Sequence, residues 1–212
     1  MTLSPAPVLQ VQGLRFSYPQ CALFSDFSAC ISPGVTLIRG GDGCGKTTLL
    51  RLLAGELPAA TGQLQINGIR LADAALAYQQ QVFWADPRSE AFEQISALAY
   101  FESVRPRYTG FDDVLLDHLI DGLSLAPFLE KPLFMLSTGS KRKVWLAAAL
   151  ASGAAVTLLD EPFAALDKSS IRFLLELLED ASTHPTRAWV IAAYEAPGHV
   201  PLALDIELPD RD

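Results

Sequence analysis

The consecutive residues Gly40-Gly41-Asp42-Gly43-Cys44-Gly45-Lys46-Thr47 match the phosphate-binding pattern G-x-x-x-x-G-K-[ST]. Glycines at 40, 43 and 45 let the backbone turn tightly and aim its N–H groups inward, and a following helix N-terminus adds partial positive charge. A polyphosphate would find a preformed cradle there. Lys46 would reach the β- and γ-phosphates, the Thr47 hydroxyl would hold Mg2+, and Thr48 would complete the nucleotide-binding residues of the loop. The pattern predicts ATP or GTP as the ligand.

Two further segments carry chemistry. Val156-Thr157-Leu158-Leu159-Asp160-Glu161 is an apolar strand ending in two carboxylates. At the carboxyl end of a parallel strand Asp160 is placed to hold Mg2+ through water, and Glu161 to polarise an attacking water. Read alone, the acidic pair with Pro162 also fits a helix N-cap; the phosphate loop in the same chain favours the catalytic role. Leu136-Ser137-Thr138-Gly139-Ser140 precedes a helical stretch and offers a hydroxyl and backbone N–H groups at a helix N-terminus, a second anion site. An ordinary serine N-cap reads equally well there.

These residues need elements to position them. Val35 to Ile38 reads as a buried strand and Thr47 to Ala54 as a helix with Gly55 at its C-terminal cap, so the loop joins strand to helix. Val8 to Ser17 and Asp26 to Ile31 have strand character, separated by Tyr18-Pro19-Gln20, and Pro33-Gly34 turns into the strand before the loop. Gly62 to Leu71 reads as a hairpin around Asn67-Gly68, which favours a type I′ turn. From about Pro87 to Met135 the strand signals fade, and Ala91 to Val104 and Asp112 to Asp121 carry helical spacing. The spacing then predicts a helix over Lys141 to Ala151, a strand over Val156 to Leu159, a helix over Ser169 to Glu179 and a strand over Trp189 to Ala193. Strands alternating with helices imply a parallel sheet.

Composition narrows the classes. A chain of 212 residues with 50% apolar content can bury a substantial core, and a net charge of -8 argues against a nucleic-acid partner. Val144 to Leu159 lacks charge, but at 16 residues it falls short of the roughly 20 a membrane helix needs. It reads as a buried helix and strand broken by Ser152-Gly153. Met1-Thr2-Leu3-Ser4-Pro5 has no signal-peptide character, which predicts a cytoplasmic protein. Cys21, Cys30 and Cys44 have no metal-ligand spacing; Cys21 and Cys30 read as packing residues, and Cys44 as a thiol that the helix N-terminus would activate.

Together the motifs resemble those of the ATP-binding cassette (ABC) ATPases. Leu136 to Ser140 resembles the L-S-G-G-Q signature, and Leu159-Asp160-Glu161-Pro162 with Ala164-Ala165-Leu166-Asp167 resembles the Walker B and D-loop. Tyr18 sits where the family places an aromatic that stacks on adenine. Phe83-Trp84, Ile95 to Leu98 and Asp160 to Phe163 are similar to the small ATPases of cytochrome c biogenesis exporters. The resemblance implies a P-loop NTPase (RecA-like) α/β core with an N-terminal antiparallel β subdomain and a helical subdomain near 87–135, in one domain over 1–212. It implies ATP and Mg2+ as cofactors and a transmembrane permease as partner. It also implies a homodimer or heterodimer in which the Lys46 loop of one molecule and Ser137, Gly139 and Asp167 of the other enclose ATP. The permease would dock on the helical section, on exposed apolar residues such as Phe92, Tyr100 or Phe101, although core packing explains the same spacing.

The chain departs from the family at several points. The switch histidine is replaced by Tyr194, 33 residues after Glu161; tyrosine donates one hydrogen bond but carries no positive charge near neutral pH. His184 and His199 lie off register and read as surface residues. No glutamine stands at Asp86-Pro87-Arg88, where the Q-loop falls; Asp86 is able to meet Mg2+ through water. Thr138 and Ser140 replace the signature's glycine and glutamine. These departures predict an ATPase with intact binding and slow turnover, or alternatively an ATP-sensing, weakly hydrolysing subunit of a heteromeric complex.

Overall fold

Val35 and Leu37 point to one face of a sheet and Ile38 to the other, and all three are fully buried. A strand buried on both faces reads as a continuous apolar run, as in parallel sheets covered on both sides. The computed structural model, which describes residues 6–86 and 89–209, places this run in β3 (Gly34–Arg39). β3 belongs to a five-stranded sheet with β6 (Val82–Phe83), β7 (Val156–Asp160), β8 (Ala188–Ala192) and β9 (Leu202–Glu207), in the order β6-β7-β8-β3-β9. Every pairing in it is parallel. Asp160 pairs in register with Ala192, so the two strand ends that carry Glu161 and Tyr194 finish side by side.

The N-terminal part is a separate antiparallel sheet ordered β2-β1-β4-β5, built from β1 (Leu9–Tyr18), β2 (Cys21–Ile31), β4 (Thr61–Ile66) and β5 (Ile69–Arg70). Asn67 and Gly68 both have positive φ, as a type I′ turn requires. Between this sheet and the parallel one lies α1 (Lys46–Leu53), which buries Leu49, Leu50, Leu52 and Leu53. α3 (Ala97–Val104), α4 (Asp113–Gly122), α5 (Thr138–Ala151) and α6 (Lys168–Ser182) share the core on the other face. The fold is therefore mixed α/β, with one antiparallel and one parallel sheet.

Several boundaries move for local reasons. Helix α3 starts at Ala97 rather than Ala91 because Ser96 caps it, its hydroxyl accepting from Ala99 N at 3.1 Å. α5 starts at Thr138 rather than Lys141 because Ser137 is its N-cap. β2 begins at Cys21, earlier than expected; β6 and the short α2 (Ala75–Gln79) carry no clear sequence signal, while β9, whose Leu202, Leu204 and Ile206 alternate with Ala203, Asp205 and Glu207, is not among the expected strands. Tyr100 and Phe101 are core residues, 3% and 0% exposed, so neither is available to a docking partner. Phe92 alone of the three reaches the surface. Cys21 and Cys30 are exposed rather than packed, whereas Cys44 is buried, which sets aside its expected activation as an accessible thiol. His199 is exposed; His184 is partly buried and accepts the N–H groups of Thr186 and Arg187, closing the turn before β8. Residues 1–5, Pro87 and Arg88 lie outside the described residues.

One backbone crossing carries a stability prediction. Gly153 ends α5 at φ +69°, and a Cβ there would run into the Gly110 carbonyl. Both effects act against a side chain, so Gly153→Ala is expected to lower unfolding free energy by about 2–4 kcal/mol, a strained conformation added to a steric clash. Urea denaturation followed by circular dichroism reads this; an unchanged midpoint would show that the crossing relaxes freely.

Candidate functional site

The loop between β3 and α1 opens into a cleft of about 400 Å³, large enough for a small-molecule ligand, whose lining includes Tyr18, Lys46, Thr47, Asp160, Glu161 and Tyr194. Five structural elements converge on it. Gly45 caps α1 in the left-handed conformation, which favours glycine; a Cβ there would also meet the end of the Leu23 side chain, which would have to turn aside. Gly40 and Gly43 also have positive φ, and nothing lies within 4 Å of a Cβ built on Gly43.

Lys46 is 8% exposed, and its ammonium donates to the carbonyls of Gly40 and Gly41 at 2.6 and 3.0 Å. A buried charge is held in this way by backbone oxygens of its own loop, already at the mouth of the anion cradle. Thr47 Oγ1 donates to Asp160 Oδ2 at 2.7 Å, tying α1 to the end of β7. Tyr18, at the end of β1, is 42% exposed and its hydroxyl lies 3.3 Å from Thr48 Oγ1.

Glu161 adopts φ +45°, unusual for a residue with a side chain. Its N–H donates to Ala192 O at 2.8 Å, while its buried Oε1 has no hydrogen-bond partner among the described residues. Burial raises its carboxyl pKa, and nearby Lys46 pulls it back down. A strained backbone and an unsatisfied buried oxygen in one cleft residue make Glu161 a candidate for chemistry.

Tyr194 follows β8, and its ring lies 4.1 Å from the Lys46 ammonium. Its hydroxyl donates to Asp42, and that hydrogen bond is the main cause of a phenol pKa pushed up to about 12. Tyr194 thus keeps its proton and serves as a neutral donor. Sequence reasoning passed over Asp42; the signal was an acidic residue inside an anion-binding loop, which calls for a donor nearby.

The remaining expected site residues stand elsewhere. Ser137 is exposed, and its Oγ accepts from Ser140 N at 3.1 Å as the N-cap of α5. Gly139 is needed for close approach, since a Cβ there would meet the Ala165 carbonyl. Asp167 caps α6, accepting from Ser170 N at 2.9 Å and Lys143 Nζ at 2.6 Å; the Lys143 bond holds its carboxyl well below the usual range. None of the three lines the Lys46 cleft. Asp86 lines a different groove, with Phe92, Tyr100 and Arg107.

The residues fit a nucleotide with magnesium. Thr47 and Asp160 present two adjoining oxygens in the cleft beside the phosphate loop. Among the described residues no group of three His, Cys, Asp or Glu side chains could hold a metal ion.

The family described as ABC transporter matches residues 24–164. The chain is 34% identical over 165 residues to the taurine import ATP-binding protein TauB of Roseobacter denitrificans, covering 73% of this chain and 59% of that protein. It is 33% identical over 194 residues to the cytochrome c biogenesis ATP-binding export protein CcmA of Rhodospirillum rubrum, covering 89% and 82%. A solved ATP-binding subunit of an ABC transporter superposes with a TM-score of 0.78 at 22% identity, over 88% of this chain and 79% of that one. A putative ABC transporter ATP-binding protein from Pyrococcus furiosus gives 0.73 at 24%, over 94% and 96%. The two structures speak for the fold.

Proposed function

This chain belongs to the ABC transporter family of ATP-binding proteins, and on that footing we propose that it hydrolyses ATP to drive a substrate through a separate membrane-spanning permease. The observation that carries the reading is the cleft in which Lys46, the Thr47–Asp160 pair and the Glu161 carboxylate, with its unpartnered Oε1, meet. Lys46 and the loop N–H groups would bind the phosphates. Thr47 and Asp160 would hold Mg2+, which lends charge stabilisation at the phosphates; Asp86, in its separate groove, has no place in that set. Tyr18 would pack on the base. Glu161, its charge uncompensated by any hydrogen bond to Oε1, would polarise the attacking water.

The cleft is open on the side that solvent reaches, and Ser137, Gly139 and Asp167 lie outside it. A second molecule, a copy or a related ATPase, would supply its Ser137 face to close the cleft, giving a homodimer or heterodimer with each ATP between two chains. Residues 1–212 would act as one ATPase domain. No helix among the described residues is long and apolar enough to cross a membrane, so attachment to the cytoplasmic face of the inner or plasma membrane would come through the permease. A net charge of -8 weighs against a nucleic-acid partner.

Turnover is proposed to be slow because Tyr194 offers a neutral donor engaged by Asp42. Tyr194→His is therefore expected to raise the steady-state rate at saturating ATP by roughly tenfold to a hundredfold, within the range of one well-placed donor to transition-state charge. No gain, or a fall, would show that the tyrosine is not the limiting feature. The Asp42–Tyr194 contact favours a second reading, an ATP-sensing subunit that closes on nucleotide and scarcely hydrolyses it. Single-turnover measurement with excess protein separates them: conversion of bound ATP to ADP supports the ATPase, and persistent intact ATP supports the sensor.

A further inference from the structure

The first turns of α5 follow the segment from Asp160 to Asp167 contact by contact. Gly139 lies against the Ala165 carbonyl, and Lys143 donates to Asp167 at 2.6 Å. Between them Arg142, half-buried, donates one guanidinium nitrogen to two successive backbone carbonyls, Asp160 O at 3.1 Å and Glu161 O. The segment it grips is strained: Glu161 and Ala165 both have positive φ without being glycine. Such residues persist only where the surroundings over-determine them.

Successive carbonyls converge on one donor only when the backbone between them is sharply turned, and Glu161 is the turned residue. A guanidinium suits the task because its donors are fixed in a plane and its charge strengthens bonds to carbonyl oxygens. The Glu161 N–H donates to Ala192 O at 2.8 Å, and its carbonyl also accepts from Ala164 N at 3.1 Å. Neither of those bonds involves the helix that carries Ser137.

We infer that Arg142 is a positioning residue for ATP hydrolysis: its grip on the Asp160 and Glu161 carbonyls fixes the left-handed turn that aims the Glu161 carboxylate into the cleft. Because Arg142 sits on the helix capped by Ser137, the same grip links that surface to Glu161 mechanically. A displacement at Ser137 would reach the carboxylate through one rigid helix. The inference rests on the reading of Glu161 as the group acting on water, and it adds the residue that aims it.

The test uses the full chain with Arg142→Met, which removes the donors while keeping the aliphatic stem, and Arg142→Lys, which restores charge and donors. With Arg142→Met, kcat is expected to fall about tenfold to a hundredfold while KM for ATP stays within about twofold, since misplacing one catalytic group by an ångström has that scale of effect. Arg142→Lys should recover part of the loss. Without nucleotide, amide hydrogen exchange across 160–166 should quicken in Arg142→Met, most at Ala164, and return towards the parent in Arg142→Lys, with the melting temperature little changed. Unchanged exchange across this segment would overturn the inference, as would kcat, ATP affinity and melting temperature falling together. The exchange measurement needs no ATP, so it decides the role of Arg142 even if the parent chain fails to hydrolyse, the result that would count against the functional reading instead.

Discussion

Lys46→Ala is expected to weaken ATP binding by about a hundredfold or more and to leave hydrolysis undetectable. The ammonium is nearly buried and held by Gly40 O and Gly41 O at the mouth of the loop, so its charge is in place before ligand arrives. Exchanging two neutral carbonyls for phosphate oxygens converts ordinary charged-donor bonds into ion-paired ones. Losing such bonds costs about 3 kcal/mol, which is roughly two decades in Kd. The loop N–H groups and the α1 N-terminus remain, so residual weak binding is expected. Thermal shift gives an independent measure: a ligand at about 100 times its Kd stabilises by about 2.7 kcal/mol, and the variant should lose nearly all of that at the same ATP concentration. ATP-dependent dimerisation, followed by sedimentation, should disappear with it. Parent-like affinity in Lys46→Ala would mean that the nucleotide binds elsewhere.

How much of this was legible in the sequence depends on how each residue is buried. β3 and α1 were plain because every apolar residue in them is inward, with Val35 and Leu37 on one face and Ile38 on the other. β9 is a different case: Leu202, Leu204 and Ile206 alternate with Ala203, Asp205 and Glu207 in the period of a half-buried strand, a signal present in the sequence but passed over, and the strand lies at the sheet edge, where Asp205 and Glu207 pair with Arg39. β6 is two residues long, too short for a periodic pattern, and α2 is only five. The site divides in the same way. Lys46, Thr47, Asp160 and Glu161 followed from local spacing, since each sits at a fixed place relative to a strand end. Asp42 with Tyr194, and Arg142 with Glu161, join residues distant in sequence and belong to no spacing rule. Tyr100 and Phe101 could not be told from docking residues by periodicity, because a helix packed into a core and one facing a partner show the same stripe.

The largest effect on chemistry alone should come from Glu161→Gln. The substitution keeps the shape of the side chain and removes only the capacity to draw a proton from water, so hydrolysis is expected to fall by about 10^2 to 10^4, the usual contribution of a positioned general base. Binding should move the other way. The carboxylate faces the Lys46 loop across a cleft meant for phosphates, and replacing it with a neutral amide removes a like charge from the ligand's surroundings; ATP affinity and the ATP-dependent dimer should both strengthen. Stability follows the same sign. Burial raises the Glu161 pKa, so the folded protein pays for keeping this group ionised at neutral pH, and that cost grows as pH rises through the ordinary carboxylate range. Glu161→Gln should therefore melt no lower than the parent at neutral pH, with the difference in its favour shrinking towards acid. In the parent, the acid limb of the rate profile should be displaced upward for the same reason. Rapid-quench assays, nucleotide titration and melting at several pH values test these three signs separately. A variant that bound ATP less well and melted lower would mark Glu161 as a structural residue of the turn, and the attacking water would then need another base.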